Sequence, residues 1–179
     1  MRHIILTTLA VCLLAFRVDA TVLVPADLRE LARDAQVIAR GAVVAVDARW
    51  TDDRRTLETV VTLQPESYLK GQLGETVQFR VPGGRLGRLR NVVMGAPQFV
   101  VGQRVIVFLG TDGPRVPHVI GLNQGVYRVG VAASGAAVVS PPPLMPGTTT
   151  GKVVRGTSDR VPAPLADFER DVRALAGLR

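Results

Sequence analysis

The residues best suited to ligand binding lie in one glycine- and arginine-rich segment, Pro82–Arg90. Arg85, Arg88 and Arg90 alternate there with glycine and leucine. Glycine lets backbone N–H groups approach a ligand closely, and a guanidinium group can hold a carboxylate, sulfate or phosphate through two parallel hydrogen bonds. The segment is neither a Walker A motif nor a G-x-G-x-x-G loop. It is predicted to be a long irregular loop, and two interpretations stay open: a solvated loop whose arginines keep the protein soluble, or a site for an anion or acidic polymer.

Catalytic and metal-binding patterns are missing from the sequence. His118 is the one histidine after residue 20, whereas a mononuclear metal site needs several converging histidines or carboxylates. No serine lies in a G-x-S-x-G elbow. The adjacent acids Asp52 and Asp53 stand beside two arginines, which is typical of a charge-balanced turn and falls short of a calcium cage. We therefore predict a protein that is not an enzyme and has no cofactor or metal; a hydrolase using His118 is the alternative.

The formal net charge of +7 favours an acidic partner, either a protein or an anionic polymer. Proteins that bind single-stranded nucleic acid add stacking aromatics to such charge, but only 4% of this sequence is aromatic. We therefore predict no binding of nucleic acid. Trp50, which begins a polar turn, is the aromatic residue that we add to the three arginines as a candidate for ligand binding.

The first twenty residues have the pattern of a secretory signal peptide. A short positive start precedes the apolar stretch Ile4–Phe16, and Val18 and Ala20 provide an A-x-A-like cleavage site. An uncleaved N-terminal anchor is the alternative. The one cysteine, Cys12, lies inside this segment, so thiol chemistry and thiolate metal sites are excluded from the rest of the chain. We expect an exported protein, periplasmic or extracellular, without stable membrane insertion after cleavage.

Two amphipathic helices are predicted, one at each end of the remaining chain. In Pro25–Ala35 apolar residues recur at i, i+3, i+4 and i+7, and Ala163–Leu178 carries a comparable apolar stripe. Residues 140–162 are rich in proline, threonine and glycine and predict an extended linker before the second helix.

Strand-like segments occupy the middle of the chain at close spacing. They are Val37–Val46, Leu57–Leu63, Thr76–Val81, Arg104–Gly110, Val119–Gly121, Val126–Val129 and Ala136–Val139. The absence of βαβ alternation predicts a mainly β fold, an antiparallel OB-like barrel or sandwich flanked by the two helices. The predicted organisation is a signal peptide at 1–20, a barrel domain with its leading helix at 21–139, a linker at 140–162 and a C-terminal helix at 163–179.

Several short motifs resemble the OB-type module of netrins and tissue inhibitors of metalloproteinases. They are Asp34–Gly41 at the start of a strand, the corner Tyr68–Gly71, and the strands around Val77–Phe79 and Val105–Leu109. Val81–Gly84 and Gly95–Phe99 are also similar to segments of uncharacterised exported bacterial proteins. The resemblance spans about Asp34–Val129 and implies an OB-like barrel with a binding role. The inhibitors bind their target's zinc through an N-terminal cysteine, which a chain starting at Thr21 lacks.

These observations together predict an exported, non-catalytic binding module for a macromolecular or anionic partner. Its candidate binding residues are Arg85, Arg88, Arg90 and Trp50. Inhibition of an exported metalloprotease is the alternative that the resemblance implies.

Overall fold

A computed structural model describes residues 26–113, 116–142 and 161–177. The helices are α1 (Leu28–Asp34) and α2 (Leu165–Gly177), with a 3-10 helix at Leu122–Gly125. The strands are β1 (Val37–Trp50), β2 (Leu57–Lys70), β3 (Val77–Pro82), β4 (Gly84–Leu86), β5 (Leu89–Asn91), β6 (Arg104–Gly110), β7 (His118–Val119), β8 (Val126–Val131), β9 (Ala137–Ser140) and β10 (Ala163–Pro164). No helix within these ranges has the length and apolar character needed to cross a membrane.

Eight strands form one mixed sheet in the order β1-β2-β3-β7-β6-β8-β9-β10, and β4 pairs only with β5 in a separate hairpin. The long strands β1 and β2 are antiparallel, with register shifts that include one at Arg40/Gly41. β1 also pairs with β6, so both of its edges are occupied over residues 38–42. The single contact between β3 and β7, Arg80 opposite His118, is parallel.

Apolar side chains fill both faces of the sheet around β6. Val105, Val107 and Leu109 belong to an inner cluster with Phe79 and residues of β1 and β2. The alternate residues of β6, Ile106 and Phe108, face a second cluster built with α1, α2 and Tyr127. A strand covered on both faces must be apolar throughout, which explains the unbroken hydrophobic run in β6.

The two helices are held on the outer face of the sheet by apolar contacts and ion pairs. Asp27 caps α1, and its side chain and that of Glu30 form a reciprocal capping box. In α2, Phe168 and Val172 are buried. Glu169 Oε1 lies 2.6 Å from Arg40 Nε of β1, and Arg40 Nη1 lies 2.7 Å from Glu66 Oε2 of β2.

The structure confirms the mainly β class and the two helices, and a strand overlaps each predicted strand segment, although β7 ends at Val119 where Val119–Gly121 was predicted. It corrects three further details. The sheet is mixed, because β7 is parallel to β3, so the prediction of a purely antiparallel sheet is wrong. Residues 84–91 form a hairpin and not the irregular loop that was predicted. Helix α1 begins at Leu28 behind its Asp27 cap. The predicted signal peptide lies outside the described residues, as does most of the predicted linker.

Candidate functional site

The predicted arginine-rich loop is the hairpin β4–β5, whose short strands place like residues opposite each other. Arg85 faces Arg90, and Leu86 faces Leu89. Gly87 has a φ of 58° at the first position of the connecting turn, where two-residue hairpins often require glycine. Because neighbouring residues in a strand point to opposite faces, the hairpin has an arginine face and a leucine face.

Two glycines attach this hairpin to β2. Gly83 donates a backbone hydrogen bond to the Leu57 carbonyl at 2.9 Å, and the Thr59 hydroxyl donates one to the Gly83 carbonyl at 2.8 Å. Gly83 has a φ of 85°, and a Cβ atom there would lie 2.8 Å from the Asn91 carbonyl oxygen. A Cβ atom on Gly84 would lie 2.7 Å from the Thr59 hydroxyl oxygen. Only glycine therefore fits the point where the hairpin leaves the sheet.

An open groove of about 480 Å³, which we call the arginine groove, lies between this hairpin and the segment that follows it. Its lining includes Arg85 and Arg90 of the hairpin together with residues 92–93 and 96–99 of the following segment. The Phe99 ring contacts Phe79 of the inner cluster edge-on, with 5.4 Å between ring centroids. Asn123 donates a backbone hydrogen bond to the Gly95 carbonyl at 2.9 Å. The segment that lines the groove after the hairpin is therefore anchored to the core.

The arginines of the hairpin differ from those near the helices in having no acidic partner. Arg104 forms a two-point contact with Glu66, and Arg40 lies against Glu66 and Glu169. By contrast, no Asp or Glu in the described part of the chain lies within ion-pair distance of Arg85, Arg88 or Arg90.

Guanidinium groups without a carboxylate partner in the described ranges make the groove suitable for an anion. Arg85 Nε donates one long hydrogen bond, of 3.5 Å, to the Gly87 carbonyl. Like charges directly opposite on paired strands are unfavourable by themselves, and an anion between them would relieve the repulsion. Two guanidinium groups over a groove with an apolar wall can hold a carboxylate, sulfate or phosphate.

The sequence-predicted site residues are only partly brought together. Arg85 and Arg90 line the arginine groove, while Arg88 lies at the hairpin turn outside its lining. Trp50 is 43% exposed and lines a separate open pocket of about 670 Å³ with Thr51, Asp52 and Arg54. The groove residues that the sequence did not single out, such as Phe99 and Val46, come from distant parts of the chain.

His118 lines a second pocket, of about 420 Å³, that shares the Val81–Gly83 wall with the arginine groove. Its Nδ1 atom lies 3.5 Å from Asp112 Oδ2, which is long for a hydrogen bond. The buried acid Glu58 also lines this pocket, but its Oε1 atom lies 2.8 Å from Arg49 Nη2. The hydroxyl groups in the lining belong to Thr51 and Thr56.

The remaining acidic candidates serve the turn between β1 and β2. Asp53 accepts hydrogen bonds from the Thr51 hydroxyl at 2.6 Å and the Arg55 backbone N–H at 3.1 Å, and these bonds lower the pKa of Asp53. A carboxylate held in this way stabilises its own turn. Among the residues that the structure describes, no group of three His, Cys, Asp or Glu side chains is placed to hold a metal ion.

Comparisons of this chain with protein-family models, with curated proteins and with solved structures find no match. The arginine groove is therefore interpreted from its own geometry and charge.

Proposed function

We propose that this protein is an exported, non-catalytic module with an OB-like barrel, and that its arginine groove binds the anionic groups of a macromolecular partner. The observation that carries the proposal is the facing pair Arg85 and Arg90, both exposed above a groove and without a carboxylate partner in the described ranges. The apolar leader of the sequence, with its A-x-A-like end, supports export.

The strand pairing supports an OB-like barrel. Strands β1, β2 and β3 follow one another, β7 lies beside β3, and β6 connects β7 back to β1. A ring of five strands is consistent with an OB-fold, which is a five-stranded and partly open barrel. Such barrels bind ligands on the face of their second and third strands and on adjoining loops. The arginine groove has Thr59 of β2 and Val81 of β3 in its lining.

The groove chemistry favours an anion on a larger chain. Guanidinium groups bind carboxylate, sulfate and phosphate with two aligned hydrogen bonds, which gives orientation as well as affinity. The lining also offers Val93, Pro97 and Phe99 for apolar contact with the backbone of such a polymer. The groove is open, so a polymer can enter and leave without being enclosed.

Isothermal titration with dextran sulfate, a soluble anionic polymer, tests this proposal. We expect the double variant Arg85→Ala/Arg90→Ala to bind at least tenfold more weakly than wild type, because two charge-assisted contacts of roughly 1.5–3 kcal/mol each are lost. The matched control is Arg29→Ala/Arg128→Ala, which removes the same charge from two exposed arginines outside the groove. Equal weakening in both double variants would mean that overall charge and not the groove binds the polymer, and the proposal would fail.

A further inference from the structure

Exposed apolar side chains are concentrated in the stretch of chain that contains the β4–β5 hairpin and the segment after it. Of eleven large hydrophobic residues that are exposed in the described part of the chain, six lie between residues 86 and 101. They are Leu86, Leu89, Val92, Met94, Val100 and Val101. Scattered exposed hydrophobic residues are normal on a protein surface, but a concentration of this kind marks an interaction site. We call the surface formed by residues 85–101 the tip surface.

The charge of the same part of the chain has one sign. Between Glu75 and Asp112 the sequence has five arginines and no aspartate or glutamate. Acidic residues such as Glu30, Asp167 and Glu169 lie on helices α1 and α2. These helices cover the face of the sheet that is opposite to the inner cluster. Exposed apolar residues mixed with arginines and free of acids are typical of proteins that lie on anionic lipid.

The hairpin arranges these two kinds of side chain in the order that a lipid interface requires. Starting from the turn, the leucine pair Leu86/Leu89 comes before the arginine pair Arg85/Arg90. One strand residue spans about 3.3 Å, so the Cα atoms of the arginine pair lie behind those of the leucine pair by roughly that distance. The long arginine side chains can extend from there to headgroup phosphates. Arg88, at the turn, has a side chain long enough to reach the same level.

From this arrangement we infer that the tip surface docks on a bilayer containing anionic lipid, with Leu86 and Leu89 entering the acyl boundary and the arginine pair holding headgroup phosphates. The inference rests on the proposed function and names its partner. A flat lipid surface fits better than an acidic peptide, because the exposed apolar residues lie at the ends of separate segments: the hairpin turn, the turn at Met94 and the turn at Val100–Val101.

Sedimentation with vesicles is the first test. The processed protein, with its start fixed by N-terminal sequencing, is mixed with vesicles of phosphatidylcholine alone or with added phosphatidylglycerol. We expect binding to the mixed vesicles only, weakened roughly thirtyfold in Arg85→Ala/Arg90→Ala because each basic residue near an anionic surface contributes about a factor of five. The charge-matched Arg29→Ala/Arg128→Ala should lose much less.

The leucines are tested with neutral substitutions. We expect Leu86→Ser/Leu89→Ser to weaken binding to the mixed vesicles at least tenfold, since two apolar side chains no longer leave water. The control Leu73→Ser/Val161→Ser changes two other exposed apolar residues, 40% and 71% exposed, that lie outside the tip surface. It should bind as wild type does. Circular dichroism of each variant checks that the fold is retained.

A dye reports directly whether the hairpin enters lipid. Cys12 lies in the predicted leader, so the processed chain has no cysteine, and Leu89→Cys can be labelled at one site with an environment-sensitive fluorophore. We expect a blue shift on mixed vesicles at position 89 and none for the dye at Leu73→Cys. An unchanged emission at position 89 would overturn the inference even if the vesicles bind.

The outcomes separate the inference from the proposed function. Binding to dextran sulfate but not to mixed vesicles would overturn lipid docking and leave the anion groove in place. Binding to neither would remove both. Capture by an immobilised acidic amphipathic peptide together with failure to bind vesicles would assign the tip surface to a protein partner and overturn the inference.

Discussion

The facing arginines should make the folded protein less stable than it could be. Arg85 and Arg90 are directly opposite in the β4–β5 register and have no acidic neighbour in the described ranges. Directly opposite residues have Cβ atoms about 5 Å apart, and like charges so placed lose roughly 0.2–1 kcal/mol. Coulomb's law in water gives about 0.8 kcal/mol for two unit charges at that separation. Because the two side chains can splay apart, we expect Arg90→Gln to raise the free energy of unfolding by about 0.5 kcal/mol.

Thermal unfolding at two salt concentrations measures this effect. For a chain of this size, about 0.5 kcal/mol corresponds to an increase in Tm of roughly 1–2 °C. At 1 M salt the Debye length falls to about 3 Å, so the difference between variant and wild type should disappear. Arg128→Gln is the control, because Arg128 faces the uncharged residues Val105 and Ser140, and its Tm should not change.

The same substitution should weaken binding of dextran sulfate while it stabilises the fold. A side chain that lowers stability and raises affinity is the pattern expected of a binding residue. A lower Tm for Arg90→Gln than for wild type, or an increase in Tm that persists at 1 M salt, would refute the idea that repulsion between Arg85 and Arg90 destabilises the hairpin. Binding of the polymer unchanged from wild type would refute the role of Arg90 in the groove.

Three further substitutions test the elements that support the site. Gly83→Ala should cost about 1–3 kcal/mol more than Gly135→Ala, because the two φ angles are 85° and 84° but only Gly83 has a backbone oxygen within 3.0 Å of the added Cβ; equal losses in urea unfolding would contradict this. Val172→Ala, at a position with 0% exposure, should cost about 1.5–3 kcal/mol, against no change for Val161→Ala at 71% exposure. Glu66→Gln should cost about 1–3 kcal/mol at neutral pH, since Arg104 and Arg40 lose a partner that is partly solvent-screened. The hydrogen bond from Arg104 lowers the pKa of Glu66. The ion pair therefore adds to the free energy of unfolding above the ordinary glutamate pKa, and this stabilisation is lost as the pH falls through the lowered pKa. If the difference in the free energy of unfolding between wild type and Glu66→Gln does not become smaller in acid, the ion pair is not its source.

The elements that the sequence predicts well are those whose own residues decide their structure. Strand β6 is apolar from Val105 to Leu109 because both of its faces are covered there, and this appears in the sequence as a continuous hydrophobic run. Helix α2 has its apolar stripe at helical spacing, and the stripe residues Phe168 and Val172 are the ones that are buried. Both features are local, so periodicity alone identifies them.

The hairpin β4–β5 could not be predicted in this way. Its strands have three residues each, which is too short for an alternation of polar and apolar residues to be recognised. The contacts that hold it in place join Gly83 to Leu57 and Thr59, more than twenty residues earlier in the chain. The arginine groove also depends on contacts between distant residues, because its lining includes Phe99, which contacts Phe79, and Val46 of β1. A sequence shows which residues could bind an anion, but tertiary contacts decide which other residues line a groove with them.

The distribution of paired and unpaired arginines connects fold and function. Arg40 and Arg104 neutralise Glu66 and Glu169, and these ion pairs join β1, β2, β6 and α2. The arginines of the β4–β5 hairpin form no ion pair within the described ranges, and this hairpin lies outside the eight-stranded sheet. The unpaired arginines therefore repel each other within a small peripheral hairpin, whereas Arg40 and Arg104 in the main sheet are paired with acids. The proposed function accounts for these unpaired arginines by a negative charge that comes from a partner, and on that proposal the affinity of the groove for dextran sulfate should fall steeply with salt.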